Sequence, residues 1–171
     1  MAHDEKWFRG HVVDGAKTVG YAEIMGSMTK NGIADVYVAH RSAAMWLELK
    51  FVELPPLRHD SNALGHPFTG PQRRFLRDVT LNGGLAFGLV GMQMRDGIRV
   101  SLHTYEEIDE KGQLTLGQLQ DARHYTLFEK RSISDNARMG AWLAEQTLRE
   151  ESLRRHRQPV PAYEEPKKIK D

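Results

Sequence analysis

The chain has 171 residues, 40% of them hydrophobic and 27% charged, a composition typical of one globular domain with a packed core. Its 24 Lys and Arg residues against 23 Asp and Glu give a net charge of +1. Bulk charge therefore does not indicate nucleic-acid binding, which would need a local basic surface. It lacks cysteine, which excludes disulfides and zinc–thiolate sites. It also shows no membrane-length apolar run and no signal peptide at its polar N-terminus, so we expect a cytoplasmic protein without a membrane partner.

The N-terminal segment predicts a short helix that carries Glu5. Gly10 and Gly15 disfavour helix, so we expect this helix to be truncated. The segment Tyr21–Met25 is a candidate first strand, and it carries a second acidic residue, Glu23.

Two runs rich in β-branched and aromatic residues, 35–39 and 45–52, predict neighbouring strands joined as a hairpin. Strand side chains alternate between faces, so Glu48 and Lys50 point the same way and Trp46 shares their face. The apolar residues between them take the other face. This pattern predicts a central strand that carries a charged pair.

Asp35, at the start of the first run, and the Glu48–Lys50 pair form the candidate site. Mg²⁺ is usually held by one or two carboxylates, with waters and substrate phosphates completing its shell. Lys50 would orient a water molecule or neutralise charge on a phosphate. Taken alone, the residues are better explained by a turn aspartate and a solvated Glu-x-Lys face. A charged pair on a central strand is costly unless it is used or paired, which favours a functional role.

Downstream, Thr69 and Gln72 have the spacing of a helix capping box, with Pro71 in the first turn. Residues 82–84 stop this helix, and the apolar run 85–92 predicts a buried strand. Strand, helix and strand in this order imply a right-handed crossover between parallel strands.

The rest of the chain alternates loops and short elements. Residues 53–67 predict an irregular loop, 98–103 an outer strand and 114–119 the start of a short helix. A last helix is expected from an N-cap at Asp135 to about His156. Its predicted buried stripe consists of Ala137, Ala141, Ala144 and Leu148, with Trp142 beside it.

Together these motifs resemble the PD-(D/E)xK nuclease superfamily. The matching segments are Gly32-Ile33-Ala34-Asp35, Trp46-Leu47-Glu48-Leu49-Lys50, the helix that begins at Thr69, and Gly83-Gly84 with the apolar strand that follows. The pattern is closest to VRR-type nucleases and to small phage and archaeal Holliday-junction resolvases, over roughly residues 5–105. Ala34 stands where the family usually has proline.

The resemblance implies an α/β fold in which a central mixed β-sheet is flanked by helices, the restriction-endonuclease-like core, with a C-terminal helical extension. We expect the nuclease core at 1–110, the helical extension at 111–158 and a disordered tail at 159–171.

The resemblance also implies which residues form the site. Asp35, Glu48, Lys50 and Gln72 would be catalytic, although Gln72 in a capping box needs no other role. An acidic residue is expected upstream as a further catalytic residue and metal ligand beside Asp35 and Glu48. Order in the chain favours Glu5 for it, and Glu23 is the competitor.

The implied function is a metal-dependent endonuclease that hydrolyses DNA phosphodiester bonds, selective for branched DNA, with Mg²⁺ as cofactor and Mn²⁺ as a substitute. Such resolvases work as homodimers, and a phage-encoded protein would act in the host cytoplasm. Arg58, Arg73 and Arg74 are candidate substrate contacts, and His40 and His66 lie near the site, although a solvated surface explains all of these. The alternatives are a non-catalytic nucleic-acid-binding or assembly protein on the same fold, and a general nuclease for duplexes or ends.

Overall fold

The computed structural model describes residues 4–25, 33–122, 124–127 and 133–157. The elements in chain order are α1 (Glu5–Lys17), β1 (Tyr21–Ile24), β2 (Val36–His40), β3 (Ala43–Val52), α2 (Gly70–Leu81), β4 (Ala86–Met94), β5 (Gly97–His103), α3 (Leu116–Asp121), β6 (His124–Leu127) and α4 (Ile133–Arg157). The six strands form one sheet in the order β1-β2-β3-β4-β5-β6. Within it β3 and β4 run parallel, and the other neighbours are antiparallel. The predicted fold class, a mixed sheet flanked by helices with a C-terminal helix, is confirmed.

The predicted hairpin is β2–β3, and β3 begins two residues before the predicted start, at Ala43. Arg41, in the turn between them, has φ 54°, the left-handed region that tight turns use. The register places Val36 opposite Leu47 and His40 opposite Ala43. Because side chains alternate along β3, this register fixes which residues face each layer of helices.

The first layer, α1 with α4, covers the face of the sheet that carries Leu47 and Leu49. Phe8 of α1 and Met139 and Leu143 of α4 are fully buried in the same cluster. The apolar residues of β3 that alternate with Glu48 and Lys50 thus lie in the core, as the sequence predicts.

The second layer, α2 with α3 and the loops around them, covers the face that carries Trp46 and Val90. Leu76 of α2 and Leu119 of α3 are fully buried there. The helix α2 connects the parallel strands β3 and β4, as the predicted crossover requires, and Phe68 enters this layer from the loop before it.

The prediction of a truncated first helix is wrong, because α1 runs for 13 residues through both glycines. A Cβ on Gly15 would lie 2.6 Å from Met139 Cγ, so the glycine lets α4 approach. Burial against α4 outweighs the low helix propensity of glycine here.

Three expectations for the C-terminal part are also wrong. The strand β5 is not an outer strand, because β6 pairs with it from Ile98 to Ser101. Helix α4 begins at Ile133, so Asp135 lies in its first turn. Its buried side is centred on Met139 and Leu143 rather than on alanines. Of the predicted stripe, Ala137 and Ala141 are exposed, Leu148 is half-buried, and Ala144 and the neighbouring Trp142 are buried.

The predicted disordered tail at 159–171 and Gly32 of the motif lie outside the described residues. Among the helices that are described, none is both long and apolar enough to cross a membrane.

The close packing of α1 against α4 can be tested by adding a methyl group at their contact. A Cβ on Gly140 would lie 2.2 Å from the backbone oxygen of Gly15 and 2.3 Å from Thr18 Oγ1. Alanine normally favours a helix over glycine by about 1 kcal/mol. We nevertheless expect Gly140→Ala to lower the free energy of unfolding by about 1–3 kcal/mol, because the two helices must separate.

Urea unfolding followed by circular dichroism measures this change. Gly65→Ala is the control, because nothing lies within 4 Å of a Cβ at that position. A Gly140→Ala variant as stable as the wild type would contradict the described packing.

Candidate active site

The two predicted carboxylates, Asp35 and Glu48, meet across the β2–β3 pair. Asp35 immediately precedes β2, one residue beyond the Val36–Leu47 pair, which brings it opposite Glu48. The Leu49 backbone N–H donates to Asp35 Oδ2 at 2.9 Å. This bond anchors the Asp35 side chain to the backbone of β3 beside Glu48.

Lys50 completes the predicted triad from the same face of β3. Its Nζ lies 3.4 Å from Glu48 Oε1, and the residues are only 6% and 1% exposed. The Phe68 ring lies over the ammonium, 5.4 Å from centroid to Nζ. Isolated charges at such depth are costly, and the pairing with Lys50 reduces this cost for Glu48 without removing it.

Gln72 uses both ends of its side-chain amide. Its Oε1 accepts the Thr69 backbone N–H at 2.8 Å and closes the capping box of α2. Its Nε2 donates to Glu48 Oε1 in a short hydrogen bond. The capping role and the position beside the carboxylates, which the sequence left as alternatives, are therefore both present in one residue.

The electrostatics of the site are dominated by Glu48. Burial and then the negative charge of Asp35 raise the pKa of Glu48 to about 8, and the lowering effect of Lys50 does not offset them. A carboxyl group with such a pKa is under-compensated: the single ammonium does not neutralise two neighbouring carboxylates. Added positive charge at this point would stabilise the ionised pair.

The two candidates for the upstream acidic residue lie in different places. Glu5 lies in the first turn of α1, where burial raises its pKa and Lys50 lowers it, with smaller effects of Asp35 and His66. Glu23 lies on the edge strand β1, and its Oε2 accepts a hydrogen bond from Tyr21 at 2.6 Å. The structure thus brings Glu5, and not Glu23, into the field of the other site charges.

The three predicted arginine contacts lie around the site rather than in it. Arg58 pairs with Asp60 at 3.3 Å on the exposed loop after β3. Arg73 donates to the backbone oxygen of Asp109 at 3.1 Å, and Arg74 is exposed on α2. None of these hydrogen bonds involves the carboxylates.

Sequence reasoning missed Phe68 as a site residue. It lies in an irregular loop where side-chain periodicity gives no signal, and its ring also occupies the space above Gly88, 2.6 Å from a Cβ built there. His66, two residues earlier, is exposed, and its charge acts on Glu5. In the sequence, only its place in the loop after β3 indicated that His66 lies near the site.

The donor set fits a divalent cation in part. Asp35 and Glu48 are hard oxygen ligands of the number that Mg²⁺ usually takes from protein, and their repulsion is what a cation would relieve. No three His, Asp or Glu side chains among the described residues are grouped as a metal cluster. Glu5, the predicted third ligand, therefore does not complete a three-carboxylate set with the pair.

No protein-family model matches the chain, and no curated protein matches it. Among solved structures, the chain is similar to a Holliday junction resolvase from the archaeal hyperthermophile Archaeoglobus fulgidus. The TM-score is 0.41 and the identity 12%, over 66% of this chain and 95% of the resolvase. A likeness at that TM-score supports no conclusion about activity. Inferences about function rest on the side chains of this chain.

The row of the sheet that holds Glu48 continues through Gly88 to His103 on β5. His103 is fully buried, and its Nε2 lies 2.8 Å from Ser101 Oγ. Burial lowers the pKa of His103 from 6.5 to about 4, and the nearby Glu107 offsets this only in part.

This depressed pKa predicts a loss of stability in acid. The unfolded chain takes up the His103 proton near pH 6.5, whereas the folded chain does so only near pH 4, so stability falls as the pH falls through that window. We expect His103→Asn to lack this contribution. The gap in unfolding free energy between wild type and variant should shift in favour of the variant by about 2–3 kcal/mol from neutral pH to about pH 4.5.

Urea unfolding over this pH range measures the gap. His156→Gln, at an exposed histidine of α4, is the matched control for the removal of an imidazole. A gap that stays constant for His103→Asn would contradict the buried neutral imidazole.

Proposed function

We propose that the protein is a metal-dependent endonuclease that hydrolyses DNA phosphodiester bonds. The observation that carries this proposal is the convergence of Asp35, Glu48 and Lys50, with the Gln72 amide bonded to Glu48. Two repelling carboxylates beside one ammonium is a costly arrangement for a core, and metal-assisted phosphoryl chemistry accounts for it.

In this proposal Asp35 and Glu48 hold the cation, Mg²⁺ or in its place Mn²⁺. When bound, it would polarise the scissile phosphate and lower the pKa of a water molecule. The Leu49 N–H and the Gln72 amide fix the two carboxylates. Lys50 stabilises negative charge on the phosphate, and Glu5 orients water at the open side of the site. The water oxygen bonds to phosphorus, one ester bond breaks, and the leaving oxygen takes up a proton.

Branched DNA as the preferred substrate, and a homodimer that makes paired cuts, rest on the resemblance of the sequence motifs. Arg58, Arg73 and Arg74 are the proposed phosphate contacts, since guanidinium groups position nucleic-acid backbones without reading sequence. A general nuclease for duplexes or ends uses the same chemistry and differs only in its substrate ranking.

A second candidate is a non-catalytic nucleic-acid-binding or assembly protein on the same fold. The observation that favours it is the near-complete burial of Glu48 and Lys50, which leaves little of either side chain accessible to a substrate. In that case the two residues would affect stability and leave no catalytic signature.

The first test is cleavage of labelled four-way junction, flap, single-stranded and duplex DNA with Mg²⁺ or Mn²⁺. We expect the wild type to cut, and Asp35→Asn, Glu48→Gln and Lys50→Met each to lose at least about 100-fold in rate. The first two changes remove a metal ligand, and the third removes the positive charge that stabilises the phosphate. The substrate ranking decides between a resolvase and a general nuclease. Binding without cutting on every substrate would overturn the enzyme and support the binding protein.

The second test separates the two upstream acidic residues. We expect Glu5→Gln to lower the cleavage rate by about tenfold or more, since Glu5 shares the field of Lys50 and Asp35. Glu23→Gln, which removes a carboxylate bonded to Tyr21, is the matched control and should cut at the wild-type rate. An equal effect of both changes would count against a role for Glu5 in the site.

A further inference from the structure

A row of aromatic side chains runs across the same face of the sheet as the carboxylates. It consists of Tyr21 on β1, Tyr37 on β2, Trp46 on β3 and Phe75 on α2, and we call it the aromatic row. Its successive ring centroids are 6.5, 4.8 and 5.6 Å apart. Trp46 and Tyr37 are direct partners in the β2–β3 ladder. The row is thus a property of the strand register.

The aromatic row keeps solvent-accessible surface along its length. Tyr21 is 55% exposed at the edge of the sheet, and Tyr37, Trp46 and Phe75 are half-buried. Phe75 meets Trp46 edge to face, at an interplanar angle of 80°, and so fixes the indole from the side of α2. Four adjoining rings that all retain exposed surface are a costly feature unless a flat partner covers them.

The aromatic row lies directly beside the two carboxylates, Asp35 and Glu48. Trp46 precedes Glu48 by two positions on β3, and Tyr37 follows Asp35 by two positions at the start of β2. Two residues along a strand span about 7 Å, which is close to the spacing of successive phosphates in an extended nucleic-acid strand. A strand with one phosphate at the carboxylates therefore places its neighbouring bases over the row.

We propose that the aromatic row is a stacking platform for unpaired bases next to the scissile phosphate, an inference that rests on the proposed nuclease function. The preferred substrate then carries a single-stranded segment at the cut site, as flaps and opened junctions do, rather than uninterrupted duplex. Stacking on aromatic rings is tolerant of sequence, because every base presents a π face. Recognition would therefore depend on strand opening and not on base identity.

The charge next to the aromatic row favours uncharged bases as its occupant. Glu23 is the acidic group within it, and its carboxylate, bonded to Tyr21, repels a phosphate backbone laid along the rings. Uncharged base faces are the part of a nucleic acid that this surface accepts. A second copy of the chain on the exposed β1 edge is the competing occupant, and the experiment separates the two.

The test is a binding measurement without cleavage, on the full chain in EDTA, by fluorescence anisotropy. The probes are a duplex with a single-stranded thymidine arm and the same duplex with an arm of abasic residues, which keeps the phosphates and removes the bases. We expect the wild type to bind the thymidine arm about tenfold more tightly or better. Tyr37→Leu and Trp46→Leu should each reduce this preference to about twofold or less.

Tyr105→Leu is the matched control, because it removes a half-buried tyrosine that follows β5 and is not a member of the aromatic row, and it should keep the full preference. Equal binding of both arms by the wild type would overturn the platform without reliance on any variant. Loss of a dimer in Tyr37→Leu, with no preference in the wild type, would assign the row to a second copy instead.

The outcome also separates this inference from the proposed function. A wild type that prefers the thymidine arm but cuts no DNA with Mg²⁺ or Mn²⁺ would keep the platform and remove the nuclease. A wild type that cuts DNA but ignores the bases of the arm would keep the nuclease and remove the platform.

Discussion

Two carboxylates, Asp35 and Glu48, face each other across neighbouring strands at a depth where their repulsion is poorly screened. Burial and the charge of Asp35 together raise the pKa of Glu48 to about 8, and Lys50 at 3.4 Å offsets only part of this effect. The fold maintains the arrangement with two hydrogen bonds, from the Leu49 N–H to Asp35 and from Gln72 to Glu48. Strongly perturbed carboxyl groups of this kind are more common at functional sites than elsewhere, and a bound cation would supply the missing positive charge.

The scaffold around this pair is built so that each element positions one part of it. The β2–β3 register brings the carboxylates together, and the crossover through α2 delivers Gln72 from the N-terminus of that helix. The loop before α2 brings the Phe68 ring over Lys50. The helix α1, packed on α4, places Glu5 at the remaining side. The site is consequently closed below by the sheet and by Phe68, and it is accessible where Glu5, Asp35 and His66 lie.

The sequence was sufficient for the parts that depend on local periodicity. Alternation along β3 predicted that Glu48, Lys50 and Trp46 share a face, and the capping-box spacing predicted where α2 begins. The errors have a common cause in tertiary contacts. Gly15 reads as a helix breaker until α4 packs against it, and the alanines of α4 read as its buried stripe until α1 defines which side is covered. Strand β6 has only four residues, and Phe68 lies in a loop, so neither left a periodic signal.

Location of the metal is the most direct test of whether the Asp35–Glu48 pair is a divalent-metal site. Crystals grown with Mn²⁺ and measured at wavelengths on either side of its absorption edge would show an anomalous difference peak wherever the ion binds. We expect a peak within coordination distance of carboxylate oxygens of both residues, at roughly 2.0–2.2 Å, and no such peak in Glu48→Gln. An unoccupied pair at saturating Mn²⁺, or a peak that persists at the same place in Glu48→Gln, would contradict this expectation.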